Sequence, residues 1–167
     1  MIDLLGYIGI AMNFLWPLFR KRAVMLLLQA VGAFFFTAHF GLLGATTGAW
    51  MALVAGAQAL LAIPLEKKPY FRNIYLLTIP VIALLVIISW NGLSSVFCAI
   101  AMIIISIGRY QTNVLQFRLY LILAEFFWVG HNILVVSIPG LVSDAVTLSS
   151  GIWMYLKERR EKIIAKN

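Results

Sequence analysis

The stretch FFFTAHFGLLG at residues 34–44 returns as FFWVGHNILVV at residues 126–136, and the relation between the two decides how the chain folds. A gapless shift of 92 residues pairs Phe34 with Phe126, Phe35 with Phe127, His39 with His131 and Leu42 with Leu134, then Gly48 with Gly140 and Val54 with Val146. It also lays Glu66-Lys67-Lys68 on Glu158-Arg159-Arg160. Apolar coincidences are cheap in a hydrophobic chain. The two histidines are the only ones in 167 residues, however, and they coincide under the shift that also aligns a turn glycine and an acidic-basic-basic triplet. The chain therefore reads as an internal repeat.

Working outward, 63% of the residues are hydrophobic and 11% charged, with a mean hydropathy of +0.98, too little polar surface to cover a soluble globule of this length. A membrane span needs about 20 apolar residues, and such stretches are expected as helices near residues 4–19, 23–43, 47–64, 74–90, 93–108, 115–136 and 139–156. Barrel-type alternation is absent, and backbone groups in lipid must pair internally, so a helix bundle is the expected solution. Turn chemistry without charge falls at Gly44-Ala45-Thr46-Thr47-Gly48, Asn91-Gly92 and Ser137-Ile138-Pro139-Gly140. All thirteen Lys and Arg residues fall in or beside the other loops and the C-terminal segment. By the positive-inside rule this places the N-terminus outside and the C-terminus in the cytoplasm.

Parity then sets the architecture. Two three-helix units placed directly in tandem would be inverted relative to each other, yet both carry their charges on one side, so one further span must separate them. The reading is an all-α transmembrane seven-helix bundle in a three-plus-one-plus-three order: residues 1–68 as the first repeat, 69–91 as a linker helix, 92–160 as the second repeat and 161–167 as a cytoplasmic tail. Parallel repeats imply a pseudo-twofold axis along the membrane normal, with a site between the halves. Pro80 is expected to kink the linker helix, and Pro139 suits a first helical turn.

The net charge of +7 flanks the spans, which fits topology and anionic headgroups and argues against nucleic acid as a partner. The first apolar stretch lacks a basic leader and a small-residue cleavage site, and is expected to be a retained span. Cys98, the single cysteine, excludes an intrachain disulfide and reads as a packing residue. No nucleophile elbow, phosphate loop or metal-protease helix is present, so neither an enzyme nor a cofactor is expected. Two histidines without further ligands do not make a metal site. Trp16, Trp50, Trp90 and Trp153 fall near span ends and suit an interfacial belt.

Polar groups at bilayer depth are costly and therefore candidates for function. Glu125 falls near the middle of the sixth span and shares a helical face with Trp128 and Asn132. His39 and His131 each stand about five residues before the end of their spans, roughly 7 Å below the outer boundary. Either they meet a solute or they satisfy a turn carbonyl. Asp144 replaces the repeat-equivalent Ala52 one turn into the seventh span, where it also suits the positive helix end. Asn13, Gln29 and Gln58 are single amides of the kind that bond between helices, and Asn13, one turn before Pro17, is the best ligand candidate of the three.

His39-Phe40-Gly41-Leu42-Leu43-Gly44, Trp128-Val129-Gly130-His131-Asn132 and Ser137-Ile138-Pro139-Gly140 resemble signature stretches of the YgjV-type bacterial inner-membrane proteins, over nearly the whole chain. The three-plus-one-plus-three order resembles the SWEET, semi-SWEET and PQ-loop transporters. That resemblance implies a hinge at Pro17 in Phe14-Leu15-Trp16-Pro17-Leu18, although Leu18 replaces the glutamine of the motif and Arg109 stands at the equivalent position of the second repeat. Neither third helix carries the asparagine of the sugar facilitators, so a sugar is not implied.

The function expected is that of a small-solute transporter in the bacterial inner membrane, with Glu125, Trp128, His131, Asn132, Asp144, His39 and Asn13 around a central site. A cationic or hydroxyl-rich solute, or a proton as coupling ion, would suit the acids. The lipid bilayer is the expected partner, and self-association is left open. The rival reading is a non-transporting scaffold, sensor or assembly partner on the same fold.

Overall fold

Proline, glycine and small polar residues end the helices where the sequence places them. The computed structural model describes residues 2–66 and 68–165, and among these there are seven α-helices and no strand: α1 Ile2–Leu15, α2 Arg22–Leu43, α3 Thr46–Ala62, α4 Asn73–Ile88, α5 Leu93–Tyr110, α6 Val114–Leu134 and α7 Ile138–Ile164. Lys67 and Lys166, counted in the charge partition, lie outside the described residues. Pro17 lacks a backbone donor, and α1 gives way there to a 3-10 turn over Trp16–Leu18. Asn113 caps α6, accepting from the N–H groups of Leu115 and Gln116 at 2.9 and 3.4 Å, and Ser137 caps α7, accepting from Gly140 N–H at 3.1 Å. Pro80 stands inside α4, where it removes the bond to the carbonyl of Leu76.

Positions 92 residues apart share backbone geometry. Helices α2 and α3 start at Arg22 and Thr46, and α6 and α7 start at Val114 and Ile138, each 92 residues later. Lys21 and Asn113, the residues before α2 and α6, have φ, ψ of −76°, 113° and −75°, 122°. α2 ends with Ala45 N–H donating to Phe40 C=O at 2.9 Å, and α6 ends with Ser137 N–H donating to Asn132 C=O at 3.0 Å. Both are the closing bond of a Schellman motif.

The packing forms a ring in which neighbours run α1, α2, α3, α5, α6, α7 and back to α1. Exchanging α1–α3 with α5–α7 maps the α3–α5 contact onto the α7–α1 contact, and leaves α2 facing α6 across the middle. α4 stands outside the ring against α3 and α5. It buries only Tyr75, Ile82 and Val86, while Leu76, Leu77, Val81, Leu84, Ile87 and Ile88 are exposed. One apolar stripe holds the helix, and the rest of its surface has the character of a face toward lipid.

The basic side chains gather at one end. Arg20 pairs with Glu161 at 2.9 Å, Arg72 donates to Tyr110 C=O at 2.8 Å, and Arg22 donates to Arg109 C=O at 2.8 Å. At the opposite end Thr47 bonds Ser89 C=O and Ser95 Oγ, tying α3 to α4 and α5. α2 and α5 are long and apolar enough to cross a bilayer by length and composition alone, while α3 and α4 are apolar but shorter. α7 runs eight residues past the expected end at 156, through Lys157-Glu158-Arg159-Arg160 to Ile164. Lys157, Arg159 and Arg160 are exposed there, while Glu158 turns back to Arg118 at 3.0 Å. Trp50, Trp90 and Trp153 are exposed as expected of a belt, but Trp16 is not. It is 3% exposed, because the 3-10 turn at Pro17 folds it inward.

Candidate functional site

All six ring helices contribute to one cavity of about 90 Å³ at the centre of the bundle. Asn13 reaches it from α1, Gln29, Ala33, Phe36 and Phe40 from α2, and Ala52 from α3. Opposite them stand Ile105 and Arg109 of α5, Leu121, Glu125, Trp128 and Asn132 of α6, and Ser143 and Asp144 of α7. Six lining pairs are related by the shift of 92: Asn13 with Ile105, Gln29 with Leu121, Ala33 with Glu125, Phe36 with Trp128, Phe40 with Asn132, and Ala52 with Asp144. Positions 92 residues apart thus line the cavity with different chemistry.

On one side the polar groups of α1, α6 and α7 converge. Asn132 Nδ2 donates to Asp144 Oδ2 at 2.8 Å, the carboxyls of Glu125 and Asp144 interact directly, and Asn13 Nδ2 donates to Ser143 Oγ at 2.8 Å. Asn132 Oδ1 has no partner. Gly140 makes the Asn132 geometry possible, since a Cβ there would overlap the Asn132 side chain and Ser137 Oγ. On the other side Arg109 Nη1 donates to Gln58 Oε1 at 2.8 Å, and Nη2 lies 3.5 Å from Gln29 Oε1. Gln58 is held in turn by Thr78 of α4 at 2.6 Å and Ser106 of α5 at 2.9 Å.

Toward the end where no basic side chain is described, aromatic rings flank the cavity. Phe40 stacks on Trp128 with centroids 6.1 Å apart and planes 5° from parallel, and the His131 ring packs edge-on against both at 5.4 Å. Near them an open hollow of about 350 Å³ is lined by Gly44, Ala45, Asn91, Ser94 and Val135 among others. Toward the basic end the contacts are made by arginines. Arg118 Nη1 donates to Pro17 C=O at 2.7 Å, and its Nη2 reaches Phe19 C=O at 3.2 Å and Glu158 Oε1 at 3.0 Å. Arg22 donates across to Arg109 C=O, the position equivalent to Pro17. Arg118 of α6 thus caps orphan carbonyls after α1, and Arg22 of α2 caps one at the end of α5, where a cation is favoured.

A family model described as Imp-YgjV, bacterial inner membrane protein, matches residues 1–162. The chain belongs to that family. It is accordingly a bacterial inner membrane protein. No curated protein and no solved structure matches it.

Of the residues expected at the site of this Imp-YgjV protein, Glu125, Trp128, Asn132, Asp144 and Asn13 line the cavity. His39 and His131 do not. His39 Nε2 lies 3.0 Å from Ser137 Oγ, and His131 Nδ1 bonds Ser94 C=O at 3.0 Å, so both bond to the turn region, His131 while its ring packs in the aromatic cluster. Pro17 stands at the break in α1, its carbonyl held by Arg118. Sequence reasoning missed Arg109, Gln29 and Ser143 as lining groups. Arg109 counts as a loop charge in a topology argument, yet it occupies the last turn of α5 with 2% exposure. Its alignment with the hinge position Pro17 was the one available signal.

Proposed function

We propose that the protein is a small-solute transporter or facilitator that works by alternating access between two parallel three-helix halves, α1–α3 and α5–α7, joined by α4. In this reading all seven helices cross the inner membrane, with the N-terminus outside and the C-terminal extension of α7 in the cytoplasm. The observation that carries it is a cavity lined by both halves, with contacts between them toward each end. Rocking one half against the other parts Phe40 from Trp128 on the outer side, or Arg118 from Pro17 and Arg22 from Arg109 on the inner side. Neither movement requires a helix to unfold.

The charge partition supports the orientation, and the shared backbone geometry at positions 92 apart supports the repeat. The architectural resemblance to SWEET and PQ-loop proteins fits the same picture. The protein is read as a carrier, not an enzyme, and the solute meets Glu125, Trp128, Asn132, Asp144 and Asn13 in the middle of the bilayer. A scaffold or sensor would keep this cavity permanently shut.

The test is two-sided accessibility. In a Cys98→Ala background, a single cysteine at Ser143 is exposed to a membrane-impermeant thiol reagent from either face of oriented vesicles. Reaction from both faces, in proportions that shift with solute, is the expected result. Protection from both faces in a folded protein would leave the scaffold reading in its place.

A further inference from the structure

The central cavity has two poles of opposite charge that the protein itself does not join. At the basic end stands Arg109, a guanidinium that stays protonated in proteins. Its hydrogen-bond partners are two neutral amides, Gln58 and Gln29, and its Nε has none. Gln29 Nε2, on the same lining, is a second buried donor without an acceptor. The ion pairs among the described residues are Arg20–Glu161 and Arg118–Glu158, so none of the described carboxylates pairs with Arg109.

The other pole lies farther along the axis. Glu125 and Asp144 face each other without a lysine or arginine against either, and Asn132 Oδ1 is a buried acceptor without a donor. Unmatched donors therefore gather at one pole of the cavity and an unmatched acceptor with two carboxyls at the other. A buried donor or acceptor left unpaired costs about 1–3 kcal/mol; all three atoms are fully buried on residues that line the void, so a solute reaches them only as those side chains turn toward it. The cavity offers about 90 Å³, several times the roughly 10–15 Å³ that one water needs, so it admits a small solute.

We propose that the cavity binds a small zwitterion with a free ammonium, an amino acid. Its carboxylate lies on Arg109 and Gln29, and its ammonium on Glu125, Asp144 and Asn132. Arg109 offers a fork that matches carboxylate geometry, and Trp128 offers an aromatic face to a cation. Because opposite charges at the two ends are both required, singly charged solutes of the same size are rejected: each leaves one pole unpaired. The assignment rests on the cavity being the solute site of the transport reading, and it names the class of solute.

The test is binding to the purified full chain in nanodiscs, read by thermal unfolding and by tryptophan fluorescence. The probes are glycine, β-alanine and γ-aminobutyrate, which set the two charges progressively farther apart, against propionate, propylammonium and propionamide at matched ionic strength. At least one zwitterion is expected to bind saturably, and at least tenfold more tightly than any of the other three. Arg109→Gln should bring propylammonium level with the zwitterion, and Glu125→Gln should do the same for propionate. Should Arg109→Gln fail to fold, Gln29→Leu, which removes one donor from the carboxylate pole, should weaken the zwitterion severalfold without changing propylammonium.

Propionate binding wild type as well as the zwitterions would make the cavity an anion site, propylammonium doing so would make it a cation site, and silence across the series would remove the assignment. Flux separates this from the transport reading. Zwitterion binding without flux in proteoliposomes would sink transport and keep the ligand class, whereas flux of a neutral or singly charged solute without zwitterion binding would do the reverse.

Discussion

Gly44 and Val136, 92 positions apart, both hold left-handed backbone, with φ of 80° and 54°, at the ends of α2 and α6. Their N–H groups donate to Gly41 C=O at 3.2 Å and Ile133 C=O at 3.3 Å. A Schellman ending demands this conformation, and glycine takes it freely. In the second half a β-branched residue takes it at a steric cost, so the turn is held there by its surroundings, with Ser137 capping α7 directly behind it.

Val136→Gly should therefore stabilise the protein. Left-handed backbone costs an L-residue about 1–2 kcal/mol, part of which returns as the larger unfolded-state entropy of glycine, about 0.5–1 kcal/mol. Val136 is 75% exposed, so little packing is lost. The expected gain is about 0.5–1 kcal/mol, read from thermal unfolding in detergent, and Gly44→Val should lose a similar amount. A loss of stability in Val136→Gly would mean that the valine side chain holds the turn.

Two glycine substitutions should separate close packing from open space. At Gly140 a Cβ would overlap Asn132 and Ser137, so Gly140→Ala should push Asn132 off Asp144 and cost about 1–3 kcal/mol. Solute binding should fall with it. At Gly41 a Cβ would meet nothing within 4 Å, and Gly41→Ala should be neutral or stabilising by up to about 1 kcal/mol. Equal melting shifts for the pair would contradict the packing around Asn132.

Arg118 is fully buried and serves Pro17, Phe19 and Glu158 together. Arg118→Leu should cost about 3–5 kcal/mol, since it strands two carbonyls and a carboxylate. Arg118→Lys keeps the charge but not the fork, and should cost less, about 1–2 kcal/mol. A double-mutant cycle with Glu158→Gln measures how much of this belongs to the ion pair and how much to the helix-end carbonyls. Additive effects would show that the ion pair is incidental.

Topology is read directly with reporters. One fused after Asn167 should be active only in the cytoplasm, and one inserted in the turn at residues 44–48 only outside. A C-terminus found outside would remove both the span count and the parallel order of the halves.

Glu125→Gln keeps the shape of the side chain and most of its hydrogen bonding. If Glu125 contacts the solute, this variant should fold normally and lose flux, while Glu125→Leu should lose both flux and about 1–2 kcal/mol of stability. Normal flux in Glu125→Gln would take that residue out of the site.

The sequence by itself determined what is written along one dimension. Helix starts near residues 23, 47, 115 and 139, each one residue after the observed start, the uncharged turns at Gly44, Gly92 and Ser137, and the gathering of basic side chains at one end were legible, because caps, turns and charge position depend on neighbours in the chain. The tertiary structure decided which polar side chains share a space. Asn13, Glu125, Asn132 and Asp144 meet in one cavity, His39 and His131 turn away to Ser137 and Ser94, and Arg109 comes in from what reads as a loop. The reason is rotational: in a chain this hydrophobic most helix faces are apolar enough for either lipid or core, so periodicity does not set which face turns inward. Packing between helices does, through close approaches such as Gly140 against Asn132 and long reaches such as Arg118 to Pro17.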